Sequence, residues 1–496
     1  MPIKPTPIST KRNLLSQAVT LAIATQLAAV PMLATAEHIS PNPNAAGNTI
    51  TVSVADASNE TIFDNNGTID LADSGELSNS GVLTNHSGGK LVLSSGTGSN
   101  QKLSNSGSII NGYGGEIALQ GLMGRLDNTG TLTNQAGGQI NIKNSPSGRE
   151  ATYNTLLNSA GGVIENQYGA SINIESLFNY LENRGTLNNA GLITGNEAGY
   201  LDNRGTFNNL ATGQLLLNSE EVRGSGAIVN AGVVELIFFS DGSLLKQTID
   251  NSANLKLESL MLMGSVTNQA SGQLVTMGKD QQKVRVLQGS IYNKGNWDHA
   301  AGNELQNDGL IQNETGGQLN LGGTLNNILT FNNAGTLSQI ANSALNNSGT
   351  LTNQAGGDLT ILAGGALNNS GTFTNRVGGI VKNHGVFDNT KDDRDILNEG
   401  LLTNYNGGKL SLTNATENHS KPQVFLNTGS IINKSGAEIF LEGSSNKLVN
   451  EGSITNQAGG LINIKDVPNA LGPAYNRFHN ESGGVIENQY GASILF

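Results

Sequence analysis

A fifteen-residue phrase, Asn-x-Gly-x-Leu-x-Asn-x-x-Gly-Gly-x-Ile-x-Ile, constrains this chain more than any other feature, because the chain keeps rewriting it. Clear copies are NTGTLTNQAGGQINI from Asn128 to Ile142, NSGTLTNQAGGDLTI from Asn347 to Ile361, and NEGSITNQAGGLINI from Asn450 to Ile464. Looser copies begin at Asn79, Asn105, Asn183, Asn203, Asn369, Asn398 and Asn427. Between well-preserved neighbours the glycines recur every 22 to 26 residues, as from Gly107 to Gly130 or Gly349 to Gly371. A period of this length marks a stack of identical supersecondary units. Such a stack offers a long repetitive surface rather than one enclosed pocket.

Inside the copy around Gly130, Leu126, Asn128, Leu132, Asn134, Ile140 and Ile142 share one parity, and Asp127, Thr129, Thr131, Thr133, Gln139 and Asn141 share the other. Period two is the period of a strand. The alternation is interrupted only at Gly and Asn, which tolerate left-handed backbone at corners. Each repeat therefore reads as two or three short strands joined by tight bends. One coil carries about four large inward side chains, too few to offset the entropy of ordering roughly twenty residues. Coils must stack, with strands pairing in parallel about 4.8 Å apart and Asn at equivalent corners forming an amide ladder. The expected fold class is all-β: a parallel β-helix solenoid of about twenty coils, right-handed by the default of parallel crossovers. The abundance of Gly, 65 of 496 residues, and of Asn excludes a helical repeat. Disorder would not keep Leu and Ile in phase with Gly and Asn.

The amino terminus carries a second signal. Lys4, Lys11 and Arg12 precede a mostly apolar stretch from Leu14 to Leu33, and Ala34-Thr35-Ala36 supplies small residues. This pattern predicts a secretory signal peptide over 1–36. An N-terminal cap is expected over 37–76, where Thr49-Ile50-Thr51-Val52-Ser53-Val54 alternates. Repeats follow over 77–217. Over 218–305 the phrase degrades around Leu236-Ile237-Phe238-Phe239 and Leu260-Met261-Leu262-Met263, and irregular coils with emerging loops are expected. Repeats resume over 306–396 and again over 397–496. The last block is a copy: residues 107–174 align without gaps to 429–496, and 39 of 68 positions are identical. It breaks off at Phe496 where the first copy runs on into Glu175, so the array is expected to continue beyond the given sequence.

Candidates for chemistry are sparse. The formal charge of −12 excludes a nucleic-acid partner, whose phosphates demand a basic surface. With no cysteine, disulfides cannot staple the fold. Six histidines are scattered without ligand spacing, and neither a metal nor a cofactor is expected. The densest charged cluster, Lys391-Asp392-Asp393-Arg394-Asp395, reads as a solvated turn before it reads as a calcium site. No catalytic residue is assigned. The binding candidates are Tyr292 and Trp297, placed by their irregular surroundings on a loop projecting from the scaffold. A file of Thr-x-Thr pairs (Thr131/Thr133, Thr350/Thr352, Thr372/Thr374, with Ser265/Thr267 and Ser453/Thr455) raises an ice-binding solenoid as a remote alternative.

The signal peptide, the lack of cysteine and the NxGxLxN…GGxIxI coils from Asn79 onward resemble the passenger regions of bacterial autotransporters and filamentous-haemagglutinin-like exoproteins. Pro41-Asn42-Pro43-Asn44 bears a slight similarity to the NPN motifs of two-partner secretion domains. The resemblance implies export through an outer-membrane pore, fused or separate. It also implies an exported surface or secreted protein, an adhesin or matrix stalk whose partners are glycans or proteins of host or neighbouring cells. The alternative is a β-helix enzyme acting on polysaccharides.

Overall fold

In each repeat the chain makes three short strands, then starts again one level up. The strands Arg125–Asn128, Thr131–Asn134 and Gln139–Ile142 form one such coil. The structure, a computed structural model, describes residues 37–496 apart from 54, 95–99, 144–152, 176–177, 197–198, 220, 240–241, 279–281, 390–394, 414–422, 444–445 and 467–474. The expected signal peptide and most of the charged cluster at Lys391 lie outside the described residues. The coils form one compact unit, Ile39–Phe496. Among the described residues there is no helix, and none therefore long and apolar enough to cross a membrane.

Strands at equivalent positions pair in parallel, in register, to give three ladders. In the first, Arg125–Asn128 pairs with Lys102–Asn105 on one side and Thr155–Asn158 on the other. The second joins Thr131–Asn134 to Ser108–Asn111 and Val163–Asn166. The third joins Gln139–Ile142 to Glu116–Leu119 and Ser171–Glu175, and holds twenty strands from Thr49–Val52 to Val485–Asn488. The expected solenoid of about twenty coils is thus the fold. Inward parity is occupied as the alternation predicts: Leu126, Leu132, Ile140 and Ile142 are fully buried, and their equivalents fuse into one continuous core.

Asparagine is the second component of that core. At the end of the second ladder a file runs unbroken from Asn44 through Asn65, Asn85 and Asn111 to Asn450 and Asn480. Each side-chain amide donates to the carboxamide oxygen of the next coil, as from Asn313 to Asn333 (2.8 Å) and from Asn333 to Asn353 (2.7 Å). The second amide hydrogen commonly reaches a backbone carbonyl, such as Asn65 to Lys90 (3.0 Å). A donor and an acceptor on one short side chain close the network at every level, which is why Asn rather than Ser or Asp holds the corner. Coil length along the file varies from 17 residues (Asn251 to Asn268) to 32 (Asn134 to Asn166), and the slack is taken up in the returns.

The two glycine signatures have different causes. In Asn-x-Gly the glycine has ordinary backbone, but a Cβ on Gly130 would collide with the carbonyl of Gly107 one coil below. In the Gly-Gly corner, Gly137 has φ +79, and Gly138 leaves room for the Asn134 carboxamide.

A second Asn file changes corner part-way along. It follows the first ladder through Asn307, Asn327, Asn347, Asn369 and Asn389. From Asn383 a file instead follows the third ladder through Asn404, Asn433, Asn456 and Asn488. The change coincides with Asn383-His384-Gly385, an Asn-x-Gly corner joining the third ladder to the first. Everything beyond is displaced by one face. Ser108–Asn111 belongs to the second ladder, whereas its duplicate Ser430–Asn433 belongs to the third. Likewise Glu116–Leu119 lies on the third ladder and its duplicate Glu438–Gly443 on the first. The copied block therefore repeats its structure but turns it by a third of a coil.

Two expectations are refined. Thr49–Val52, expected in a cap, is already a rung of the third ladder, paired with Thr68–Leu71. The stretch 218–305 keeps regular coils, with steps of 21, 17 and 25 residues at Asn230–Asn251, Asn251–Asn268 and Asn268–Asn293. Its sequence looks irregular because Gln247 stands in the Asn file there, accepting from Asn203 at 3.1 Å, and because Val284–Asn293 and Glu304–Asn313 each run on from the first ladder to the second, the former through a register break at Gln288, which has φ +60.

Candidate functional site

Neither residue singled out for a binding loop is on a loop. Trp297 lies in the strand Asn296–His299 at an inward position, between Leu274 and Leu319 in register, and is fully buried. Its ring replaces a leucine of the core. The indole N–H donates to Thr276 Oγ1 (2.9 Å), Thr276 Oγ1 lies 3.1 Å from His299 Nδ1, and His299 Nε2 lies 3.1 Å from the Asn303 carbonyl. The mutually consistent assignment is a donor chain from Trp297 through Thr276 to a neutral His299. Burial pushes the proton affinity of this imidazole below its ordinary value, partly offset by its hydrogen bonds. Tyr292 lies in the strand Val284–Asn293, half-buried on the outward parity of the second ladder, between Thr267 and Gln312.

The structure instead gathers aromatics on the outward side of the first ladder. Tyr180 and Tyr200 are partners in register, with ring centroids 5.3 Å apart and nearly parallel. The Arg223 guanidinium lies 4.5 Å from the Tyr200 centroid and donates to Tyr180 Oη (3.2 Å), and Tyr200 is only 4% exposed beneath this cover. That stack is a structural wall. Beside it Tyr153 and Phe178 meet at 5.4 Å and stay open to solvent, at 44% and 36%.

Each of these two rings is held out by the residue that follows it. Asn154 is fully buried, donating to the carbonyls of Gly121 (2.9 Å) and Lys143 (2.7 Å) and accepting from the Gly124 N–H (2.8 Å). Asn179 is buried as well and accepts from the Asn154 N–H (3.0 Å). A buried carboxamide thus pegs the returning chain, and the aromatic before it has nowhere to go but outward. Sequence reasoning missed Tyr153, Phe178, Tyr180 and Tyr200. The available signal was aromatic-Asn at the close of a return, written at Tyr153-Asn154, Phe178-Asn179 and Tyr475-Asn476, where Asn476 donates to Gly443 and Lys465 in the same manner.

Tyr153 borders a groove of about 300 Å³ lined also by Glu76, Lys102, Met123, Arg125 and Thr155. Charges on this face are compensated: Arg125 pairs with Asp127 (2.5 Å), Arg184 with Glu182 (2.6 Å) and Arg204 with Asp202 (2.8 Å). A second open notch, of about 330 Å³, is lined by Tyr168, Gly191 and Thr212, where the tight corner at Ala190-Gly191 sits between two longer ones. The Thr-x-Thr pairs do not make one flat file. Thr350/Thr352 and Thr372/Thr374 are neighbours, but Asn332 and Leu397 bound them, and Ser453/Thr455 stands on the third ladder. Among the described residues no three His, Asp or Glu side chains converge as a metal site would require.

No protein-family model matches this chain, and no curated protein matches it in sequence. Among solved structures, the chain is similar to the crystal structure of a TibC-catalysed, hyper-glycosylated fragment of TibA spanning that protein's residues 55–350. The identity is 13% and the TM-score 0.21, over 88% of this chain and 98% of the other. A likeness that loose says nothing of ligand or activity.

Proposed function

We propose that this protein is an exported, non-enzymatic adhesin or matrix stalk that holds surfaces together through many weak contacts. The observation that supports this reading is the continuous stack from Asn44 to Asn488, whose residues are largely accounted for by core, corners and Asn files. What remains among the described residues is outward: short polar side chains in repeated rows and exposed aromatics held on pegs, interspersed with open grooves. Weak contacts arrayed on one scaffold gain strength by multivalency. Export rests on the sequence pattern of residues 1–36, and the partners would be glycans or proteins of other cells, reached after passage through an outer-membrane pore. Beads coated with the chain lacking residues 1–36 should adhere to epithelial or bacterial cells, with retention rising steeply with coating density. Density-independent or absent retention counts against the reading.

The competing polysaccharide-cleaving reading draws on Glu182 and Asp202, carboxylates in register on neighbouring coils. Each is tied to an arginine. Incubation with pectin, alginate and glycosaminoglycans decides between the two: sustained bond cleavage, abolished by Asp202→Asn, favours the enzyme.

A further inference from the structure

We infer that the groove bordered by Tyr153, whose ring meets that of Phe178, is a saccharide-binding site selective for neutral glycans. The inference deepens the adhesin reading and rests on it. Four observations converge. Aromatics make up 4% of the chain, yet Tyr153, Phe178, Tyr180 and Tyr200 crowd one face within a few coils. Two of the four are exposed although the core could have absorbed them, as it absorbs Phe207 and Trp297. They are also preorganised: Asn154 and Asn179 fix their backbones, and Phe178 is held at φ +72, a region that bulky residues avoid. Asn100, on the groove wall, shares this left-handed backbone with φ +83. Holding a ring outward in a costly conformation makes sense where the ring meets a ligand.

The groove's chemistry selects the ligand class. Tilted rings offer a platform to the C–H face of a pyranose, which stacks without a formal charge. Around them Glu76, Lys102, Arg125 and Thr155 supply donors and acceptors for vicinal hydroxyls. Glu76 and Lys102 are partners in register, and Arg125 is paired with Asp127, so each of the two cations of the groove has a carboxylate close by on the same face. Such a wall gives no net attraction to sulfate or carboxylate. A volume near 300 Å³ suits one or two sugar rings of a longer chain passing over the face.

The test uses the chain lacking residues 1–36 and an array of mannose-, galactose- and N-acetylglucosamine-based oligosaccharides, each beside its sialylated or sulfated counterpart, followed by calorimetric titration. Neutral oligosaccharides should bind, with Tyr153→Ala and Phe178→Ala each weakening them roughly tenfold. Tyr153→Phe should retain most of the affinity, and Tyr113→Ala, on another face, all of it. Circular dichroism of each variant reports that the fold is kept. Failure of every saccharide to bind, indifference to both alanine variants, or tighter binding of the acidic sugars would each overturn the site. Bead adhesion separates this from the broader reading: adhesion undiminished in the Tyr153→Ala/Phe178→Ala variant removes the site and leaves the adhesin, whereas wild-type beads that never adhere remove the adhesin.

Discussion

Asn333→Ala is the substitution that most severely tests the role of the amide file. Asn333 is fully buried, accepts from Asn313 Nδ2 at 2.8 Å and donates to Asn353 Oδ1 at 2.7 Å. Truncation leaves one amide hydrogen of Asn313 and the oxygen of Asn353 unmet inside an apolar core. An unmet buried group costs about 1–3 kcal/mol, so the pair should cost about 2–6 kcal/mol. Asn332 is the control, one residue away on the outward parity, where a surface substitution is worth within about 0.5 kcal/mol. Because a stack can open locally without unfolding as a whole, the readout is amide hydrogen exchange across 313–353 rather than a single melting curve. Asn333→Ala should speed exchange there at least about thirtyfold, the factor that corresponds to 2 kcal/mol. Adding Asn313→Ala should cost less than the sum, since the first truncation has already orphaned its partner. If Asn333→Ala and Asn332→Ala exchange alike, the file fills space and stabilises nothing.

Gly130→Ala should destabilise by about 1–3 kcal/mol in thermal unfolding although its backbone is ordinary, since the added Cβ meets the Gly107 carbonyl; a neutral result would mean that neighbouring coils do not approach this closely. Trp297 is the sole tryptophan and fully buried, so its fluorescence should be blue-shifted and insensitive to iodide; ready quenching would return it to a loop. Burial depresses the proton affinity of His299, so the neutral ring's contribution is fully present above about pH 6.5 and is lost as pH falls through that unfolded-state value toward the lower folded one. The melting temperature should therefore fall between pH 7.5 and pH 5 by less in His299→Gln than in the wild type, and equal falls would contradict the buried neutral ring.

Parity made most of the fold legible. Leu126, Leu132, Ile140 and Ile142 declared themselves inward, and the recurring Asn declared its ladder, because in-or-out is a local property of a strand. Which of three faces a strand occupies is not local. It depends on the count of corners since the chain began, and one Asn-His-Gly corner at 383–385 shifts every later strand. That is why the duplicated block was visible in sequence while its rotation was not. Trp297 misled because rarity and irregular surroundings resemble a loop, whereas its parity with Leu274 and Leu319 marked it as core. Tyr153 and Phe178 went unnoticed for the opposite reason: they lie in returns, outside the repeating phrase, and their exposure depends on Asn154 and Asn179 being drawn into the coil.

Cross-linking reads both the stacking and the rotation directly, and the chain has no cysteine of its own to interfere. Thr360 and Lys382 face each other on adjacent rungs of the third ladder, as do Lys382 and Thr403. Parallel neighbours about 4.8 Å apart fall within the reach of a disulfide. Without the corner at 383–385 in its observed place, the strand Ile380–Asn383 would stack on Ala366–Asn369 and set Lys382 beside Asn368. The variants Thr360→Cys/Lys382→Cys and Lys382→Cys/Thr403→Cys should form intramolecular disulfides under mild oxidation, and Asn368→Cys/Lys382→Cys should not. Cross-linking of the Asn368 pair in place of the Thr360 pair would contradict the rotation, and cross-linking of none would contradict the solenoid.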